Sequence, residues 1–235
     1  YVKTKNGSVS CGKLVFAINA WTPNFLPFLS RSAVLVSSDM IISEPIKYQL
    51  QSLGLNNGLV ILDSNLFTHY SRTTPDGKII LGKGGNTFSF RNKVIDSFDG
   101  PSTIEKLLKK SLLSFYPSLK DAKITTSWNG PSERTKTGFP FFGYHPKNKN
   151  ISYAFGYSGN GVLTCHVGGE ILSSMTLDEN NKWTDSNFCK GPLKNFPPEP
   201  FRWLGAMIIR NAVRRKENAQ EKEINPKWID KQIGR

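Results

Sequence analysis

Three cysteines in 235 residues, Cys11, Cys165 and Cys189, are too few and too widely spaced for a disulfide framework or a zinc pattern. A reducing compartment is the expectation, with the cytoplasm as location. No apolar run approaches the roughly 20 residues that a membrane span needs. Histidine is scarce, with only His69, His145 and His166, and the sequence gives no support for a Ser-His-Asp set or a metal cluster. No initiator Met and no signal-peptide core open the sequence, and YVKTKNGSVSCGKLV reads like the middle of a longer protein. Acidic residues are also short, 18 against 31 Lys and Arg, leaving a formal charge of +13. The basic residues are nevertheless scattered. Lys109-Lys110, Lys147 with Lys149, and Arg214-Arg215-Lys216 are the short clusters, and none is interleaved with aromatics as in a single-strand binder. Nucleic acid is therefore not an expected partner; the charge reads as a basic surface that favours anionic substrates, or as an excess offset by an acidic region elsewhere in a longer protein.

What is present is ordinary globular composition, 38% hydrophobic and 21% charged, with length enough to bury a core. Residues 1–12 read as strand, turn and strand around Asn6-Gly7. Lys13 to Ala20 reads as a buried, parallel strand and Val34 to Ser43 as a second strand stopped by Glu44-Pro45. Leu59 to Leu62, Phe67 to Arg72 and Lys78 to Leu81 are short strands, the last two joined by the Thr74-Pro75-Asp76-Gly77 turn. Pro101 to Tyr116 is the clearest helix, with Ser102 or Thr103 as cap and Ile104, Leu107, Leu108, Leu112 and Phe115 on one face. Ala122 to Trp128 is a strand expected to end in a turn at Asn129-Gly130-Pro131. Asn150 to Phe155 is another strand, and helices are expected from about Val162 to Met175 and from Phe201 to about Ala219. Gly168 and Gly169 inside the first of these suggest close backbone approach to a neighbour.

The segment ISYAFGYSGNGV, residues 151–162, is a strand running into a Gly-rich turn that opens a helix. Glycines at 156, 159 and 161 allow φ > 0, and the helix's first N–H groups favour negative charge. The spacing is Gly-x-x-Gly-x-Gly, distinct from the dinucleotide fingerprint Gly-x-Gly-x-x-Gly. Either ligand contact or a packing device accounts for it. Just upstream, WNGPSERTKTGFPFFG (128–143) places an aromatic and a guanidinium, Trp128 and Arg134, near glycines; a carboxylate-binding pocket or a plain surface loop are the two readings.

Six pieces in order resemble the D-amino-acid-oxidase-like FAD-dependent oxidoreductases, the group of glycine oxidase, sarcosine oxidase, dimethylglycine dehydrogenase and gamma-glutamylputrescine oxidoreductase. They are KLVFAINAWTP (13–23), VLVSSDMIISEPI (34–46), THYSRTTPDGKIILGKGG (68–85), SWNGPSERTKTGFPFFG (127–143), GYSGNGV (156–162) and FPPEPFRWLGAMIIRNA (196–212). The resemblance implies an α+β and α/β fold: part of an FAD-binding Rossmann-like domain plus an antiparallel-sheet substrate domain with covering helices. Residues 1–30 and 126–178 would be FAD-binding segments, 31–125 the substrate domain, and 179–235 a linker with a helical extension. It implies FAD, held without a covalent bond because no cysteine matches the attachment position. It also implies oxidation of a C–N bond in a small amine or amino acid, with oxygen or a carrier as electron acceptor. Gly156, Ser158, Gly159, Asn160, Gly161 and Val162 would face the flavin, with Asn19, Ala20 and Trp21 as further contacts. Tyr70, Arg72, Trp128 and Arg134 would form the substrate wall. The family's phosphate-gripping Gly-x-Gly-x-x-Gly unit has no counterpart in this sequence; Gly82-Lys83-Gly84-Gly85 lies in a hairpin strand instead. A binding or interaction module derived from the family, without catalysis, is the alternative.

Overall fold

A computed structural model describes residues 1–56, 58–192 and 194–234. The chain opens with β1 (Val2–Thr4), β2 (Gly7–Val9), β3 (Leu14–Phe16), α1 (Thr22–Phe25) and β4 (Ala33–Ser43). Next come α2 (Lys47–Ser52), β5 (Val60–Leu62), β6 (His69–Thr73), β7 (Ile79–Phe88), α3 (Glu105–Phe115) and β8 (Ile124–Thr135). It finishes with β9 (Phe141–His145), β10 (Asn148–Phe155), α4 (Gly161–Thr176), α5 (Phe201–Glu221) and α6 (Trp228–Ile233). Two discontinuous units result, 1–35 with 132–199 and 36–131 with 200–235.

The first unit is built on a three-stranded sheet in the order β3-β10-β9. β10 runs parallel to β3 and antiparallel to β9. Alternation along β10 sends Tyr153 and Phe155 to one face, where they pack with Leu26, Leu29 and Phe141. Ala154 points the other way, against Ile171, Leu172 and Met175 of α4. The strand expected over 13–20 is real and parallel but covers only three residues, and Val15 is 38% exposed. Asn19–Trp21 is a single 3₁₀ turn that feeds α1, with Pro23 in its first turn.

The second unit holds a five-stranded sheet in the order β5-β6-β7-β4-β8. The β5–β6, β6–β7 and β4–β7 pairs are antiparallel. Ile41, Ile79 and Leu81 pack beneath Leu108 and Leu112 of α3 and Leu50 of α2. This is the antiparallel sheet with covering helices that the α+β expectation described. The turn expected at Asn129-Gly130-Pro131 is absent: β8 continues through it to Thr135. Proline is tolerated because β8 is the last strand of the sheet, where an outward N–H needs no partner. Ser102 and Thr103 do not cap α3, whose N-cap is Ile104; the Ser102 hydroxyl donates to buried Asp39 at 2.7 Å. Among the described residues, no helix is long and apolar enough to cross a membrane.

Candidate functional site

The Gly-rich turn joins β10 to α4, and its backbone leaves ordinary space at three residues: Gly156 (φ 87°), Ser158 (φ 56°) and Gly159 (φ 90°). Side chains are excluded at the two glycines for different reasons. A Cβ on Gly156 would sit 2.3 Å from the Thr135 methyl, and one on Gly159 would sit 2.9 Å from the Arg134 guanidinium. Gly161 does not share this property. It has an ordinary φ, and a Cβ there would meet Tyr157 at 3.7 Å, so the expectation of three left-handed glycines is corrected to two glycines and a serine.

Ser158 tolerates its strained backbone because its hydroxyl is tied on both sides. It donates to the Gly156 carbonyl at 3.1 Å and accepts from the Thr135 N–H at 3.1 Å. Glu133, 3% exposed, accepts the Tyr157 N–H at 2.8 Å. The end of β8 therefore buttresses the turn from behind at Glu133, Arg134 and Thr135. Burial pushes the Glu133 carboxyl above the usual range, against the N–H groups of Glu133, Tyr157 and Gly156 and the Arg134 charge, which favour its ionised form.

Ahead of the buttress the helix mouth is open. No side chain caps α4 at Asn160, so Gly161, Val162 and Leu163 bring to its first turn N–H groups that have no acceptor within the helix. Val162 and Leu163 are 98% and 83% exposed. Two large exposed apolar side chains thus stand beside helix-terminal amides that no side chain caps, where negative charge is favoured.

The other candidates fall in three places. Asn19 has a left-handed backbone (φ 49°), Ala20 is buried, and Trp21 is half exposed; all three lie beyond the end of β3, in the first unit. Arg134 also belongs to the first unit, where its Nη1 donates to the Ser132 hydroxyl at 2.7 Å and the Glu133 carbonyl at 3.0 Å. In the second unit Tyr70 and Arg72 share the face of β6 opposite buried His69 and Ser71. Tyr70 lies across Gly82, where a Cβ would meet its ring at 2.2 Å and the Met40 sulfur at 2.3 Å. Its hydroxyl is 2.5 Å from that of Ser38. Trp128 is on β8, separated from β6 by two strands, so it does not adjoin Tyr70 and Arg72 within the sheet. Glu133 and Ser38 escaped the reading of the sequence: each acts on a residue distant in the chain, Tyr157 and Tyr70, through a contact that no local pattern encodes.

The family model for FAD dependent oxidoreductase matches residues 1–175. Gamma-glutamylputrescine oxidoreductase of Escherichia coli is 28% identical over 211 residues, 87% of this chain and 46% of that protein. The probable oxidoreductase OrdL of Haemophilus influenzae is 26% identical over 186 residues, 77% of this chain and 39% of that protein. Among solved structures, the modified fructosyl peptide oxidase from Aspergillus nidulans superposes with a TM-score of 0.67 at 16% identity, covering 83% of this chain and 49% of that one. Glycine oxidase from Geobacillus kaustophilus gives 0.62 at 16% identity, over 79% and 46%. The chain thus spans less than half the length of these relatives. With three quarters of its residues inside the matched segment and the fold in agreement, the chain belongs to the family of FAD-dependent oxidoreductases.

Proposed function

We propose that this chain supplies the ring-facing and substrate-facing parts of an enzyme that oxidises a C–N bond in a small amine or amino acid. The observation that carries the reading is the mouth of α4, with uncapped amides and an exposed Val162-Leu163 pair beyond a turn braced by β8. FAD bound there supplies the hydride-accepting centre, and the imine left on the substrate side is hydrolysed by water.

The chain's own residues position and polarise. The N–H groups of Gly161, Val162 and Leu163 stabilise negative charge at the helix mouth. The side chains of Val162 and Leu163 exclude water from the covered surface. Ser158 and Gly159 hold the turn's path, and Asn160 opens the helix. Trp21, with Asn19 and Ala20, is a further cofactor contact. Tyr70, its hydroxyl fixed by Ser38, and Arg72 offer a hydrogen bond and a cation to a substrate carboxylate or amine-bearing chain. Trp128 adds an aromatic wall, and Arg134 acts at the turn. The acceptor of the electrons is oxygen or a carrier, and the location is the cytoplasm.

The test uses the full-length protein that contains this chain. It is expected to purify yellow and to lose its flavin absorbance when one member of an amine and amino-acid panel is added anaerobically. Gly159→Val is expected to leave it colourless, since the backbone there has φ +90°, a conformation that valine does not adopt, and the new side chain would also push the Arg134 guanidinium aside. Full flavin content in that variant removes the turn from the site.

A further inference from the structure

Glu133 is a carboxylate with an unusual neighbourhood. It is almost completely buried, and it faces the rear of the turn whose front is the candidate site. Its Oε1 takes the Tyr157 N–H at 2.8 Å, and the Gly156 N–H also favours its charge. These two peptides immediately precede the strained residues Ser158 and Gly159. A buried carboxylate normally requires a cation in contact. Here the nearby cation is Arg134, one residue along β8, and its guanidinium lies over Gly159 while bonding Ser132 and the Glu133 carbonyl. A buried carboxyl group thus lies behind the turn and a guanidinium over it.

From this arrangement we infer that Glu133 is a positioning residue that sets the electrostatic poise of the helix mouth and lowers the reduction potential of a flavin seated on it. This rests on the flavin reading above and adds to it a residue that tunes the site without touching the cofactor. The physical reason is direct. Two-electron reduction leaves negative charge at the ring edge, and the α4 amides stabilise that charge. A carboxylate held against the Tyr157 N–H, in the turn that leads into those amides and in a poorly screened interior, opposes it. Removing the charge while keeping the hydrogen bond must make reduction easier. Glu133→Gln does this, because its side-chain amide oxygen can still accept the Tyr157 N–H.

The full-length protein is purified first, and its flavin content alone decides whether the underlying reading stands. If flavin is present, the midpoint potentials of wild type and Glu133→Gln are compared in a series of buffers from neutral to alkaline. The variant is expected to favour the reduced form at least tenfold more, about 30 mV for a two-electron couple. Glu133→Asp, which keeps the charge, is expected to hold a potential near that of the wild type. Equal potentials in wild type and Glu133→Gln, with flavin retained, overturn the proposal. So does a potential in Glu133→Asp raised as far as in Gln. If Gln does not fold, Glu133→Met takes its place as the neutral variant: a raised potential there with Asp near wild type supports the role of charge, and a wild-type potential there overturns it.

Discussion

A methyl group added at Gly168 would lie 2.3 Å from the Tyr157 hydroxyl and 3.4 Å from the Phe142 ring, whereas at Gly169 it would meet open space. The two neighbours therefore carry opposite predictions. Gly168→Ala is expected to cost about 1–3 kcal/mol through overpacking. Gly169→Ala is expected to stabilise by up to about 1 kcal/mol through helix propensity; urea unfolding of both variants checks the pair. The sequence showed that two glycines in a helix need a reason, and only the helix rotation shows which one has it. Asp63 supplies a pH dependence. Burial raises its carboxyl, but hydrogen bonds from His69 and Asn65 outweigh burial and hold it below the usual range. The folded group thus releases its proton more readily than the unfolded one. The stability it contributes is complete above the ordinary carboxylate range and is lost as pH falls through the lowered value. Asp63→Asn is expected to cost about 1.5 kcal/mol at neutral pH. Its stability should fall less steeply than wild type below about pH 4, measured as unfolding free energy against pH.

At the scale of elements, α3 and β10 were legible because a single period runs through each. In α3 the apolar stripe puts Leu108 and Leu112 under the sheet, 0% and 2% exposed. Leu108→Ala is expected to destabilise by about 2–5 kcal/mol, read as a lowered denaturation midpoint at unchanged slope. Two elements, β9 and α2, were not legible, and β8 was legible only as far as Trp128. β8 runs through Asn129-Gly130-Pro131, residues that spell a turn wherever a strand is not at a sheet edge. β9 begins directly after Pro140 and lasts five residues, too few to display alternation. α2 has six residues and no capping side chain to announce it. The turn at 156–161 was visible as glycine spacing, yet its working parts, a left-handed serine and a buried glutamate from another strand, depend on pairings distant in sequence.

Across the whole molecule, each unit is completed by a segment that returns from far along the chain, and local sequence does not encode such returns. The family match ends at residue 175, before α5 and α6. α5 is nonetheless tied to β7 and its neighbours in the second unit. Glu217 Oε1 accepts the Phe67 N–H at 3.1 Å, Arg210 donates to the Asn86 carbonyl at 2.9 Å, and Trp203 donates to the Phe88 carbonyl at 3.1 Å. Glu217 also stands 3.9 Å from the Lys83 ammonium, which burial pushes below the usual lysine range while the Glu217 and Asp63 charges oppose that shift. Ending the chain after Glu199 would strip these partners and leave Lys83 without its nearest carboxylate, a loss that buried charges tolerate poorly. Hydrogen exchange on the truncated protein is therefore expected to show faster exchange along β6 and β7, with β9 and β10 still protected at wild-type rates. Unchanged protection in β7 would mean that α5 is an appendage to the second unit, and that its charges are balanced by solvent instead.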